Sequence, residues 1–92
     1  MTKPRFLAFI LANDQEEFLV DYKNQPGAIS RGWGLFPDRA KRFPTRQAAE
    51  HAIRKLEAGY PVYAVELLDD GDRFIVAADE DHPRPSWLAA LH

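Results

Sequence analysis

The chain has 92 residues, 46% hydrophobic and 28% charged, a composition that makes one globular domain with a modest core and leaves no room for a separate catalytic domain. It has no cysteine, which excludes disulfide frameworks, zinc ribbons and thiol nucleophiles. The formal net charge of −2 conceals a division: residues 31–55 carry the bases Arg31, Arg39, Lys41, Arg42, Arg46, Arg54 and Lys55 against the acids Asp38 and Glu50, whereas residues 56–92 carry Glu57, Glu66, Asp69, Asp70, Asp72, Asp79, Glu80 and Asp81 against Arg73 and Arg84. Such asymmetry bears on partners rather than on fold.

Arg5–Ala12 is rich in Phe, Leu and Ile and ends at Asn13-Asp14-Gln15, a strand followed by a turn. Its apolar run is short for a secretory signal and acids follow at once, so it reads as a buried strand. Glu17–Lys23 alternates, placing Phe18, Val20 and Tyr22 on one face and Glu17, Leu19 and Asp21 on the other, and forms a hairpin with the first strand. Asn24-Gln25-Pro26-Gly27 is turn chemistry. Ile29–Phe36 is an irregular or edge strand, weakened by the glycines on either side of Trp33. Residues 37–44 connect to the one clear helix, Arg46–Ala58, which has Thr45 as N-cap and Gly59 as its stop. Ala49, Ala52, Ile53 and Leu56 share one face of that helix. Val62–Leu67 and Arg73–Ala78 form a hairpin around Asp70-Gly71. Residues 79–86 make an acidic, proline-broken loop, and Trp87–Leu91 a short helical turn whose apolar side chains Trp87, Leu88 and Leu91 fold back on the sheet. The expected fold is therefore α+β: an antiparallel sheet of four to five strands in the order β-β-(β)-α-β-β with the helix on one face. Residues 1–78 form the domain and residues 79–92 the loop and tail.

The catalytic signals are poor. His51 reads as a half-exposed surface residue, Ser30 and Ser86 lie outside any nucleophile elbow, and Gly32-Trp33-Gly34 lacks the helix that a phosphate loop requires. Asp69, Asp70 and Asp72 read as a hairpin turn, and Asp79–His82 as a solvated loop, rather than as metal ligands. A non-enzymatic protein without cofactor is expected. The basic segment is more informative. Arg39, Lys41, Arg42 and Arg46 crowd the start of the helix, where the macrodipole and the free N–H groups favour anions and disfavour cations. Trp33, Phe36 and Phe43 are interleaved with these bases, as in surfaces that stack nucleic acid bases and in the hot spots of protein interfaces. Phe43 staples the helix entrance into the core and Phe36 joins the core, which leaves Trp33 as the partly exposed anchor. A competing reading pairs the arginines with Asp69–Asp72 or Asp79–Asp81 of the same molecule.

Ala40-x-x-Phe43-x-Thr45-x-x-Ala48-Ala49-x-x-Ala52-Ile53, preceded by Trp33 and followed by Tyr63-x-Val65-x-Leu67, resembles many small uncharacterised bacterial and phage proteins. In style the chain is also similar to phage-encoded inhibitors of host defence, anti-CRISPR proteins among them. The resemblance implies a fold and a mobile-element setting and carries over no functional residue. Together these readings predict a cytoplasmic interaction domain that occupies a surface of a nucleic-acid-handling protein complex. Arg31, Trp33, Arg39, Lys41, Arg42 and Arg46 form its partner-binding face. The alternative is direct binding of RNA or single-stranded DNA by the same face. A homodimer through edge strands is a further possibility, and no membrane contact is expected.

Overall fold

The computed structural model describes residues 3–89, so Leu91 of the expected helical turn lies outside the described residues. The fold is α+β: five antiparallel strands form one curled sheet that carries one α-helix. The strands are β1 (Arg5–Asn13), β2 (Phe18–Gln25), β3 (Ala28–Gly34), β4 (Val62–Asp69) and β5 (Phe74–Ala77). The helix α1 (Arg46–Leu56) lies between β3 and β4 in the chain. A 3-10 turn, Pro37–Arg39, stands where the sequence suggested a plain connection. In space the strand order is β3-β2-β1-β4-β5, so the most apolar strand is central and β3 and β5 are the edges. No helix among the described residues is long and apolar enough to cross a membrane.

The sheet is covered on both faces. On one, Leu11, Leu19 and Ala64 pack against Ala49 and Leu56 of the helix, with Ala52 and Ile53 at the margin. This is the stripe that helical spacing marks out. On the other, Ile10, Ala12, Phe18, Val65 and Leu67 are closed over by Ala40, Trp87 and Leu88. The tail thus packs against the core. Trp87 meets Phe18 edge-on with ring centroids 5.8 Å apart and donates its indole N–H to the carbonyl of Asn13 at 2.8 Å. Within the described part of the expected helical turn there is one hydrogen-bonded turn, from Leu88 N to Pro85 O.

Two bulges change which side chains face which way. In β2, Leu19 pairs with Trp33 but Asp21 pairs with Gly32, so Val20 is the extra residue. The alternation expected for this strand therefore breaks. Phe18 packs under the tail, Leu19 and Tyr22 share the helix side, and Val20 is exposed. Gly32 and Gly34 accommodate this bulge, because a Cβ at either would stand 3.2–3.3 Å from a β2 side chain. In β1 the register shifts between Phe6 and Ala8, and Phe6 and Phe9 come together at 5.1 Å on one face.

β1 and β2 pair at Ala12 and Phe18 and then part. The segment before the helix fills the gap. Phe9 and Phe43 exchange both backbone hydrogen bonds at 2.8 Å, and Lys41 N donates to Leu19 O at 2.8 Å. This satisfies polar groups of β1 that would otherwise lack a partner inside the fold. It also holds the basic segment against rigid strands at both ends.

The helix begins as predicted: Thr45 Oγ1 accepts from Ala48 N at 3.1 Å. It ends earlier than expected, at Leu56, because Glu57 takes the left-handed cap with φ 47°. The final carbonyls find partners across the sheet. Tyr22 Oη donates to Lys55 O, and Arg31 donates to Leu56 O at 2.8 Å and Glu57 O at 2.9 Å. Those contacts, rather than Gly59, set the helix end. A side chain in the left-handed region costs about 1 kcal/mol that glycine does not incur. Glu57→Gly is therefore expected to stabilise the domain by about 0.5–1 kcal/mol, read as a higher midpoint in urea at unchanged slope.

Candidate interaction surface

The structure divides the six residues singled out in the sequence. Arg31 and Trp33 lie on the helix side of β3, where both are half-buried. Arg31 caps the helix, and Trp33 donates its indole N–H to Tyr60 Oη at 2.9 Å with the rings tilted 6.1 Å apart. Trp33 is thus partly exposed, as its glycine neighbours suggested, with its indole N–H already engaged by Tyr60. Arg46 is also engaged. Its guanidinium lies 4.9 Å over the Phe9 ring and donates to Ala64 O at 3.4 Å, bracing the helix start on the sheet. These contacts draw its charge back from the helix terminus and make it a packing residue.

Arg39, Lys41 and Arg42 remain outward and exposed. Arg42 stands 5.6 Å over the ring of Phe74, which is itself 39% exposed. Two residues join them that sequence reasoning missed. Leu35 and Phe36 are 68% and 63% exposed, the most exposed large apolar side chains among the described residues. The expectation that Phe36 enters the core is wrong. Phe36 opens the 3-10 turn, whose body lies against β5, and the chain there is carried over the sheet by Ala40 and Phe43 instead. A run of Leu-Phe before Pro-Asp was the available signal. Its direction depended on which of Phe36, Ala40 and Phe43 the sheet could receive.

Acidic residues of the two turns form ion pairs with bases outside this segment: Arg5–Asp69 at 3.3 Å, Arg73–Asp70 at 3.6 Å and His82–Asp79 at 3.4 Å, the last when the imidazole is protonated. The carboxylates also order their own loops. Asp69 accepts from Gly71 N, Asp70 from Asp72 N and Arg73 N, and Asp79 from Asp81 N. The Asp81 N–H, helped by His82 and Arg46, holds the Asp79 carboxyl below its ordinary range. A depressed folded pKa contributes stability above the unfolded value, and that contribution is lost as pH falls through the folded one.

The surface is thus an exposed apolar pair beside three outward bases, on a segment pinned by backbone pairing to β1 and β2. Comparison with protein-family models, curated proteins and solved structures finds no match to this chain.

Proposed function

We propose that this chain is a non-enzymatic interaction domain that occupies a surface of a nucleic-acid-handling protein complex, in the manner of a phage or mobile-element inhibitor. The observation that carries the reading is the adjacency of exposed Leu35 and Phe36 to Arg39, Lys41 and Arg42. Large apolar side chains left in water beside cations are what a protein interface desolvates at its centre and steers from its rim. Arg31, Trp33 and Arg46 are engaged within the fold, at the helix end, at Tyr60 and over the Phe9 ring, and are left out of this face.

The test pairs two measurements. Capture from nuclease-treated lysate is expected to retain a complex with the native chain and to lose it with Arg39→Glu/Arg42→Glu and with Leu35→Ser/Phe36→Ser. All four positions are exposed, so each variant keeps its fold and its melting behaviour. Labelled single-stranded RNA and DNA, followed by anisotropy at about 50 and 200 mM salt, are expected to show no binding. Micromolar binding that collapses with salt and vanishes in Arg39→Glu/Arg42→Glu would instead make the same face a direct nucleic-acid site.

A further inference from the structure

A second surface has the opposite chemistry. At the end of the sheet, the β1–β2 turn, Trp33 of β3 and the approach to β4 enclose a cavity of about 490 Å³. Asn13, Asp14, Glu17, Trp33, Tyr60 and Pro61 line it, and no basic residue does. Its walls therefore combine an aromatic pair and two carboxylates with the amides of Asn13 and Gln15 and the Pro61 ring.

Both halves are built rather than incidental. The Trp33–Tyr60 hydrogen bond fixes the two rings relative to one another. Glu17 is held by Asn13 Nδ2, which donates to Oε1 at 3.0 Å, and Asp14 accepts from Tyr63 Oη on Oδ2 at 3.3 Å. Burial and the Asp14 carboxylate push the Tyr63 phenol above its ordinary range, which keeps it protonated as that donor. Each carboxylate thus spends one oxygen on its own positioning and leaves the other without a protein donor among the described residues.

We propose that this cavity receives an arginine side chain presented by a partner chain. The geometry selects among cations. Among the described residues no three of His, Asp or Glu converge to hold a metal ion. A quaternary ammonium would leave the free carboxylate oxygens without donors. A guanidinium donates from several N–H groups at once and lies flat on an aromatic ring, so it satisfies both walls. The volume falls within the range of small-ligand pockets and admits the whole side chain with its flanking backbone. The site is separate from the basic face, so either can fail without the other.

The test is titration of the full chain with a blocked Gly-Arg-Gly peptide, followed by the amide and indole N–H resonances in a two-dimensional NMR spectrum. The expected result is saturable movement of the Trp33 indole and the Asn13–Glu17 amides in the low-millimolar range. The isosteric citrulline peptide is expected to bind at least about tenfold more weakly. Asp14→Asn/Glu17→Gln, which keeps the acceptors used by Tyr63 and Asn13, is expected to lose binding by the same factor while its spectrum stays dispersed. Equal shifts with arginine and citrulline, no shift at Trp33, or an unchanged affinity in the double variant would each overturn the proposal. So would shifts that follow protein concentration without peptide, which would assign the cavity to a second copy of the chain.

Discussion

Trp87→Ala is expected to lower the stability of the domain by about 2–4 kcal/mol, at the lower end of the usual loss for a large core aromatic because Trp87 is partly buried. Trp87 closes the sheet face opposite the helix, edge-on to Phe18, and its indole N–H satisfies the carbonyl of Asn13. Truncation opens a cavity beside Ile10, Ala12 and Phe18 and leaves that carbonyl without its partner. Domains of this size have only about 5–10 kcal/mol in all, so the variant is expected to melt near ambient temperature. Trp87→Phe keeps the ring and removes the donor, and is expected to cost about 1–2 kcal/mol. Urea unfolding followed by circular dichroism checks both. A Trp87→Ala midpoint equal to the native one would show that the tail does not pack on the sheet in solution.

Asn13→Ala is the second large effect, expected at about 2–4 kcal/mol. Asn13 is the one buried polar side chain among the described residues, 4% exposed, and both its amide oxygen and its amide nitrogen are bonded. Oδ1 accepts from Gln15 N at 2.9 Å and Glu17 N at 3.1 Å, while Nδ2 donates to Glu17. These bonds close the β1–β2 turn, in which Glu16 has φ 59°. Alanine leaves two backbone donors short of a partner, each loss worth about 1–3 kcal/mol, and removes the bonds that hold Glu16 in its left-handed conformation. Amide hydrogen exchange at Gln15 and Glu17 separates this mechanism from general destabilisation. Both are expected to lose protection well before the β1–β4 ladder does. The same variant is expected to loosen the carboxylate of Glu17 and so weaken the arginine cavity.

Much of the frame was legible locally. The apolar run of β1, the Thr45 cap, the Ala49–Leu56 stripe and the Asp70-Gly71 turn are each determined by residues within a few positions of one another. The candidate surface was half legible. Arg39, Lys41 and Arg42 are exposed in the segment before the helix, but Arg31 and Arg46 are engaged within the fold and Phe36 is exposed rather than core. Trp33 found Tyr60 across 27 positions of chain, and Arg31 found the helix end across 25. No local pattern encodes such partners.

What the sequence by itself determined is the class of object: one cysteine-free α+β domain with a capped, small-faced helix and a charge distribution split along the chain. Local propensity and hydrophobic period suffice for that, because they act over one or two turns of backbone. The tertiary structure alone decided which side chains remain available. A bulge at Val20 broke the alternation of β2, the pairing of Lys41 and Phe43 with β2 and β1 placed the segment before the helix, and Phe36 stayed in solvent. The physical reason is shared. A side chain's exposure is set by what packs against it, and in each case the packing element comes from elsewhere in the chain.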